Sequence, residues 1–160
     1  MSLFDGIEDA QVSKTGQWFE EGVYKVKVKQ VKLQASQVGA AKQWFIVETE
    51  VLESSCPTIT PGMERSQLID MGGPMALPNI KAFVAAASGV DPNSATVTEE
   101  VEAYWQKVIG EYTPLKLLVE QIVSDANPFE GFVMDLECKI ITTKTEKKPF
   151  TKHFWQPRKV

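Results

Sequence analysis

GVYKVKVKQVKL, residues 22–33, and QWFIVETEVL, residues 43–52, are the two segments whose reading decides the fold. In an extended strand successive side chains point to opposite faces, so a period of two sorts them. Tyr24, Val26 and Val28 fall on one side of the first segment, and Lys25, Lys27 and Lys29 on the other. Phe45, Val47, Thr49 and Val51 share one side of the second, with Trp44 and Ile46 opposite. Both segments read as long β-strands that wall a core. After Lys29 the alternation slips by one residue, putting Val31 and Leu33 where Gln30 and Lys32 would have been apolar. That slip is the signature of a β-bulge, which bends a strand so that it can serve two sides of a small barrel.

Working outward, Gly62 to Asp70 reads as a third strand after the Pro57–Pro61 turn. Gly72, Gly73, Pro74 and Pro78 break regular structure. Asn79 is the expected N-cap of a helix over Ile80–Ser88, stopped by Gly89. Thr96 and Glu99 form a capping-box pair ahead of Val101, Tyr104, Trp105, Val108 and Ile109 at helical spacing, with Gly110 as the stop. Pro114 opens a third helix through Leu115, Leu118, Val119 and Ile122. From Gly131, Phe132, Met134, Leu136, Cys138 and Ile140 alternate as a fourth strand, and Phe150–Trp155 forms a fifth.

The order strand, strand, strand, helices, strand, strand is that of a mainly β chain with an α insert. It predicts a five-stranded OB-fold-like Greek-key barrel with its helical insert, residues 79–124, between strands three and four. The domain spans residues 18–160 and follows an acidic arm, residues 1–17. At 160 residues one core is expected. No apolar run approaches the roughly 20 residues that cross a bilayer, so no membrane partner is expected. Met1 to Ala10 lacks the basic start and apolar run of a signal peptide, which makes the cytoplasm the expected location. Cys56, Cys138 and the lone His153 are scattered, so neither a zinc site nor any other metal or cofactor is expected.

A net charge of −4 disfavours nucleic acid only until its distribution is read. Residues 1–21, 22–43, 44–130 and 131–160 carry −4, +5, −9 and +4. Twelve of the seventeen bases lie in the second and fourth segments, distant in sequence and adjacent if the sheet closes. A lysine stripe alone fits a solvated face that discourages edge pairing. Lys25, Lys27 and Lys29 joined with Lys42, Trp44, Lys144, Lys147, Lys148, Lys152 and Trp155 fit a groove for a single strand. Cations there meet phosphates and flat rings meet unstacked bases. Trp105, on a helix stripe, belongs to the core.

Catalytic patterns are weak. Asp135, Glu137 and Lys139 share a strand face and resemble the end of a Mg²⁺-dependent nuclease motif. The nearest strand-borne upstream acid is Asp70, and the element order differs from that of such nucleases. There is no Gly-rich phosphate loop and no Gly-x-Ser-x-Gly. The expectation is a non-enzyme. A virion or assembly protein that uses the barrel for protein contacts is the alternative.

Gly22-Val23-Tyr24-Lys25-Val26, Trp44-Phe45-Ile46-Val47-Glu48, Glu50-Val51-Leu52, Pro61-Gly62, Asn79-Ile80-Lys81-Ala82-Phe83, Gly131, and Phe150-Thr151 ahead of Trp155 together carry a resemblance. Over most of Phe4 to Pro157 the chain resembles OB-fold single-stranded-DNA-binding proteins of tailed bacteriophages. The resemblance implies a cooperative, sequence-indifferent binder of single-stranded DNA in phage replication or recombination, acting in the host cytoplasm as a homo-oligomer. Many such proteins end in an acidic recruiting tail, whereas this chain ends Pro157-Arg158-Lys159-Val160. Recruitment of replication or recombination proteins would then fall to the acidic N-terminal arm.

Overall fold

A computed structural model describes residues 18–35, 43–142 and 149–160. Its strands are β1 (Gly22–Ala35), β2 (Gln43–Ser54), β3 (Glu64–Asp70), β4 (Val133–Thr142) and β5 (Pro149–Trp155). They form one antiparallel sheet in the order β3-β2-β1-β4-β5. Helices α1 (Ala76–Ala87), α2 (Val97–Ile109) and α3 (Leu115–Ile122) all lie between β3 and β4 in the chain.

The central strand carries the bulge that the alternation predicts. Pairing jumps from Val28↔Thr49 to Gln30↔Glu48, which leaves Lys29 as the extra residue and returns Val31 to the buried face. A second shift lies between Lys25 and Val26, where Leu52 is the extra residue on β2. β4 follows β1 as far as Lys27↔Val133. Beyond that point the Val28 N–H donates to the Phe132 carbonyl at 2.8 Å, and the Gly131 N–H donates to the Val28 carbonyl at 2.7 Å. Farther along, a side chain takes over from a strand. Asn127 Oδ1 accepts from the Val31 N–H at 3.0 Å, and its Nδ2 donates to the Val31 carbonyl at 2.7 Å. A buried backbone pair left open would be costly, and the amide of buried Asn127 closes it.

Tyr24, Val26, Val28 and Val31 of β1 and Phe45, Val47 and Val51 of β2 are buried, as the period-two reading requires. Against that wall packs an aromatic column. The Phe83 ring of α1 lies 5.0 Å from Trp155 and 5.7 Å from Phe129, and Phe129 stacks 5.6 Å from Trp105. Trp105 is core, its Nε1 donating to Ser88 Oγ at 2.8 Å.

Two helix starts differ from expectation. α1 begins at Ala76, so Asn79 lies in the first turn and is not the N-cap. Pro78 is tolerated there because first-turn N–H groups have no helical partner to lose. α2 does start after Thr96, but its hydroxyl makes no cap bond to the backbone and instead donates to the Glu100 carboxylate at 3.1 Å. Gly110 ends α2 in the left-handed region, φ 94°, as its position predicts. Pro114 precedes α3, whose Leu115 N–H donates to the Glu102 carboxylate at 2.7 Å.

The edge strands approach each other. Trp155 Nε1 of β5 donates to Gln67 Oε1 of β3 at 2.8 Å, both side chains being buried. No backbone ladder joins β3 to β5 among the described residues, so by hydrogen bonding the sheet is open. No helix among them is long and apolar enough to cross a membrane.

Candidate nucleic-acid interface

Lys25, Lys27 and Lys29 project from the outer face of β1 and are exposed, opposite the core-facing valines. Trp44 lies on the same outer side, half-buried, where β2 pairs Trp44 with Gln34 on one flank and with Asp70 on the other. Lys27 is opposite Glu50 in the same ladder, seven β1 residues from Gln34. At ~3.3 Å per residue, Trp44 and Lys27 are on the order of 20 Å apart along one face.

The lysines do not stand alone there. Glu48, Glu50, Glu53 and Glu64 reach the same face, and the ladder sets them against the stripe. Lys25 Nζ lies 3.3 Å from Glu53 and Lys32 Nζ lies 3.1 Å from Glu48. Lys29 pairs with Glu64 across β2, and that carboxylate raises the Lys29 pKa. Asp135 of β4 faces Lys25 from the other flank. Lys27 makes no ion pair among the described residues. The stripe is thus mostly neutralised by its own sheet. Period two already placed Glu48 and Glu50 on the face of Trp44, but only the register shows which lysine each one meets.

The β4–β5 ladder carries a different arrangement. Lys139 is the direct partner of Lys152, and Glu137 is the partner of Phe154, all on the outer face. Lys139 Nζ lies 5.6 Å and Lys152 Nζ 5.1 Å from the centroid of the Phe154 ring. Lys139 also reaches Glu137 at 3.5 Å, whereas Lys152 has no ion pair among the described residues. Like charges directly opposite on a sheet are destabilising, and a ring face between them offsets part of that repulsion. On the same strand Phe150 is 43% exposed. Lys152, Phe150 and Phe154 of β5 and Lys139 of β4 thus gather two cations and two rings on one outer patch of the hairpin.

Among the residues expected at the site, Trp155 is corrected: it is 4% exposed, stacked against Phe83 and hydrogen-bonded to Gln67, so it is a core residue. Its place at the end of β5 puts it on the inner face with Leu136, its ladder partner. Lys42, Lys144, Lys147 and Lys148 lie outside the described residues. Lys25, Lys27, Lys29, Trp44 and Lys152 share the outer side of the sheet. Phe154, Phe150 and Lys139 were not expected there. Phe154 and Phe150 alternate with Trp155 and Thr151, so the period-two rule could have found them.

His153 turns inward. Its ladder partner is buried Cys138, its ring meets Phe19 edge-on at 5.9 Å, and burial holds its pKa down at about 4. Burial likewise pushes the Cys138 thiol up to about 12, so it behaves as a small apolar core group. Among the described residues, no group of three His, Cys, Asp or Glu is arranged to hold a metal ion.

No family model and no curated protein matches this chain. The site therefore rests on its own geometry.

Proposed function

We propose that the chain is a single-stranded-DNA-binding protein whose sheet is a curled, OB-like barrel and whose contact surface centres on the β4–β5 hairpin. The carrying observation is the facing pair Lys139 and Lys152 with Phe154 beneath both ammonium groups. A like-charge pair of which only Lys139 has an acidic partner, Glu137, is relieved by an anion, and a neighbouring exposed ring, Phe150, offers a base its stacking partner. Lys27 and Trp44 extend the track along the outer face of β1 and β2. The barrel reading is supported by a bulged first strand shared between β2 and β4, helices inserted between β3 and β4, and the Gln67–Trp155 bond between the edges. The protein acts without catalysis, in the cytoplasm, in replication or recombination of the kind that the phage resemblance implies.

Titration of the intrinsic tryptophan fluorescence with a thymidine oligonucleotide at several salt concentrations tests this reading. The expected result is quenching, with log affinity falling at a slope of ~0.7 per phosphate neutralised. Absence of binding at low salt overturns it.

A further inference from the structure

Between the edges of β3 and β5 lies a cleft of about 380 Å³, lined by Gln67–Asp70 and Phe150–His153 together with Asn79 of α1. We propose that this cleft receives one base of the bound strand, so that the protein holds a single nucleotide inside its seam while Lys139 and Lys152 hold the adjoining phosphate. The inference rests on the single-strand reading above and adds to it a defined base pocket.

Three observations point to a compact, flat, polar-edged ligand. First, the cleft is not a through-groove. Trp18 forms a parallel bridge to Ser66, the residue just before the β3 wall, and the Gln67–Trp155 hydrogen bond spans the gap beside it. An extended peptide adding a strand to β3 would meet Trp18 there, whereas a base needs no such run. Second, a polar atom without a partner lies in the wall of the cleft. His153 Nε2 is buried and has no hydrogen-bond partner, although the imidazole lines the cleft. Buried polar atoms of folded proteins are almost always paired, so an unpaired one just behind the cleft wall is where a small shift of the ring on ligand entry would complete the set. The neutral imidazole has one donor and one acceptor, and the Asn79 amide, which also lines the cleft, offers both kinds, which suits the mixed edge of a nucleobase. Third, the mouth carries the rest of a nucleotide's requirements. Phe150 and Lys152 line the cleft from β5, and the Lys152 ammonium sits over Phe154 on the outer face. A base entering past Phe150 leaves its phosphate beside that cation.

His153 is the only histidine in the chain, so its ring resonances report on this cleft without ambiguity. The full-length protein is titrated in parallel with a thymidine dodecamer and with an abasic deoxyribose-phosphate oligomer of equal length. Overall binding is followed by fluorescence and His153 by NMR. The expected result is a saturable shift of the His153 signals with the thymidine oligomer and none with the abasic one. The abasic oligomer should also bind about tenfold or more weakly. Asn79→Leu should narrow the affinity differences among thymidine, cytidine and adenosine oligomers to within about threefold while leaving the salt slope unchanged. Binding of the thymidine oligomer with unmoved His153 signals overturns the pocket and leaves the single-strand reading standing. Equal His153 shifts with the abasic oligomer overturn it as well, because they put backbone in the cleft. No binding of either oligomer overturns both.

Discussion

Lys139 and Lys152 oppose each other across the β4–β5 ladder, with their ammonium groups 5.6 and 5.1 Å from the centre of one ring, that of Phe154. Lys25, Lys29 and Lys32 are paired with acids from their own sheet, whereas Lys152 makes no ion pair among the described residues. Replacing both lysines by alanine should lower the salt slope of oligonucleotide binding by ~1.4, two phosphates' worth on a single strand. Thermal stability should stay the same or rise slightly, since a like-charge contact is removed. Fluorescence titrations at four salt concentrations and a melting curve check both parts.

Lys29 and Lys27 should separate in the same assay. Glu64 holds Lys29, whereas Lys27 has no ion pair among the described residues. Lys27→Ala should weaken binding more than Lys29→Ala at low salt, and Glu64→Gln should strengthen it by releasing Lys29. These are exposed charges, so both differences should shrink as salt rises above about 0.15 M. Equal losses for the two lysines would contradict the ion-pair account of the stripe.

Gln67 and Trp155 tie the two sheet edges by a buried hydrogen bond of 2.8 Å. Gln67→Leu leaves the indole N–H buried without a partner and should cost about 1–3 kcal/mol in urea unfolding. Trp155→Phe removes that donor together with part of the ring. Combined with Gln67→Leu, it should lose less than the sum of the two single changes, which a double-mutant cycle measures.

Asn127 stands in for a strand, holding both backbone groups of Val31 from a left-handed backbone position, φ 39°. Asn127→Ala loses both bonds and places a Cβ-bearing residue with no compensating amide at positive φ. Destabilisation should reach about 3 kcal/mol or more. Asn127→Gly relieves the backbone and not the bonds, so it should fall between wild type and Asn127→Ala.

Burial lowers the His153 pKa from 6.5 to about 4, which fixes the sign of a pH effect. Above pH 6.5 both folded and unfolded states carry neutral imidazole, and His153 contributes no pH slope. As pH falls from 6.5 towards 4, the unfolded chain takes up a proton that the folded one refuses. Stability should therefore drop across that window, by roughly 3 kcal/mol in full. Urea unfolding between pH 7 and 4 measures the slope, and His153→Phe, whose ring suits the contact with Phe19, should abolish that part of it.

Period two was enough to read β1, β2 and β4, to place Lys25, Lys27, Lys29 and Trp44 on the outer side, and to locate the bulge at Lys29. Each of these depends on side-chain direction along one strand, and alternation encodes that locally. Helix starts were less legible. Asn79 has the chemistry of a cap, yet α1 begins three residues earlier because Pro78 fits its first turn. What the sequence could not decide was which strands lie side by side and in what register. Glu53, Glu64 and Glu48 became partners of Lys25, Lys29 and Lys32 only through the ladders. Trp155, one residue beyond Phe154, turned from a surface ring into a core one bonded to Gln67. Facing, neutralisation and contact between the sheet edges are properties of pairs far apart in the chain, so a local pattern fixes which way a side chain points, and only the assembled sheet fixes what it meets.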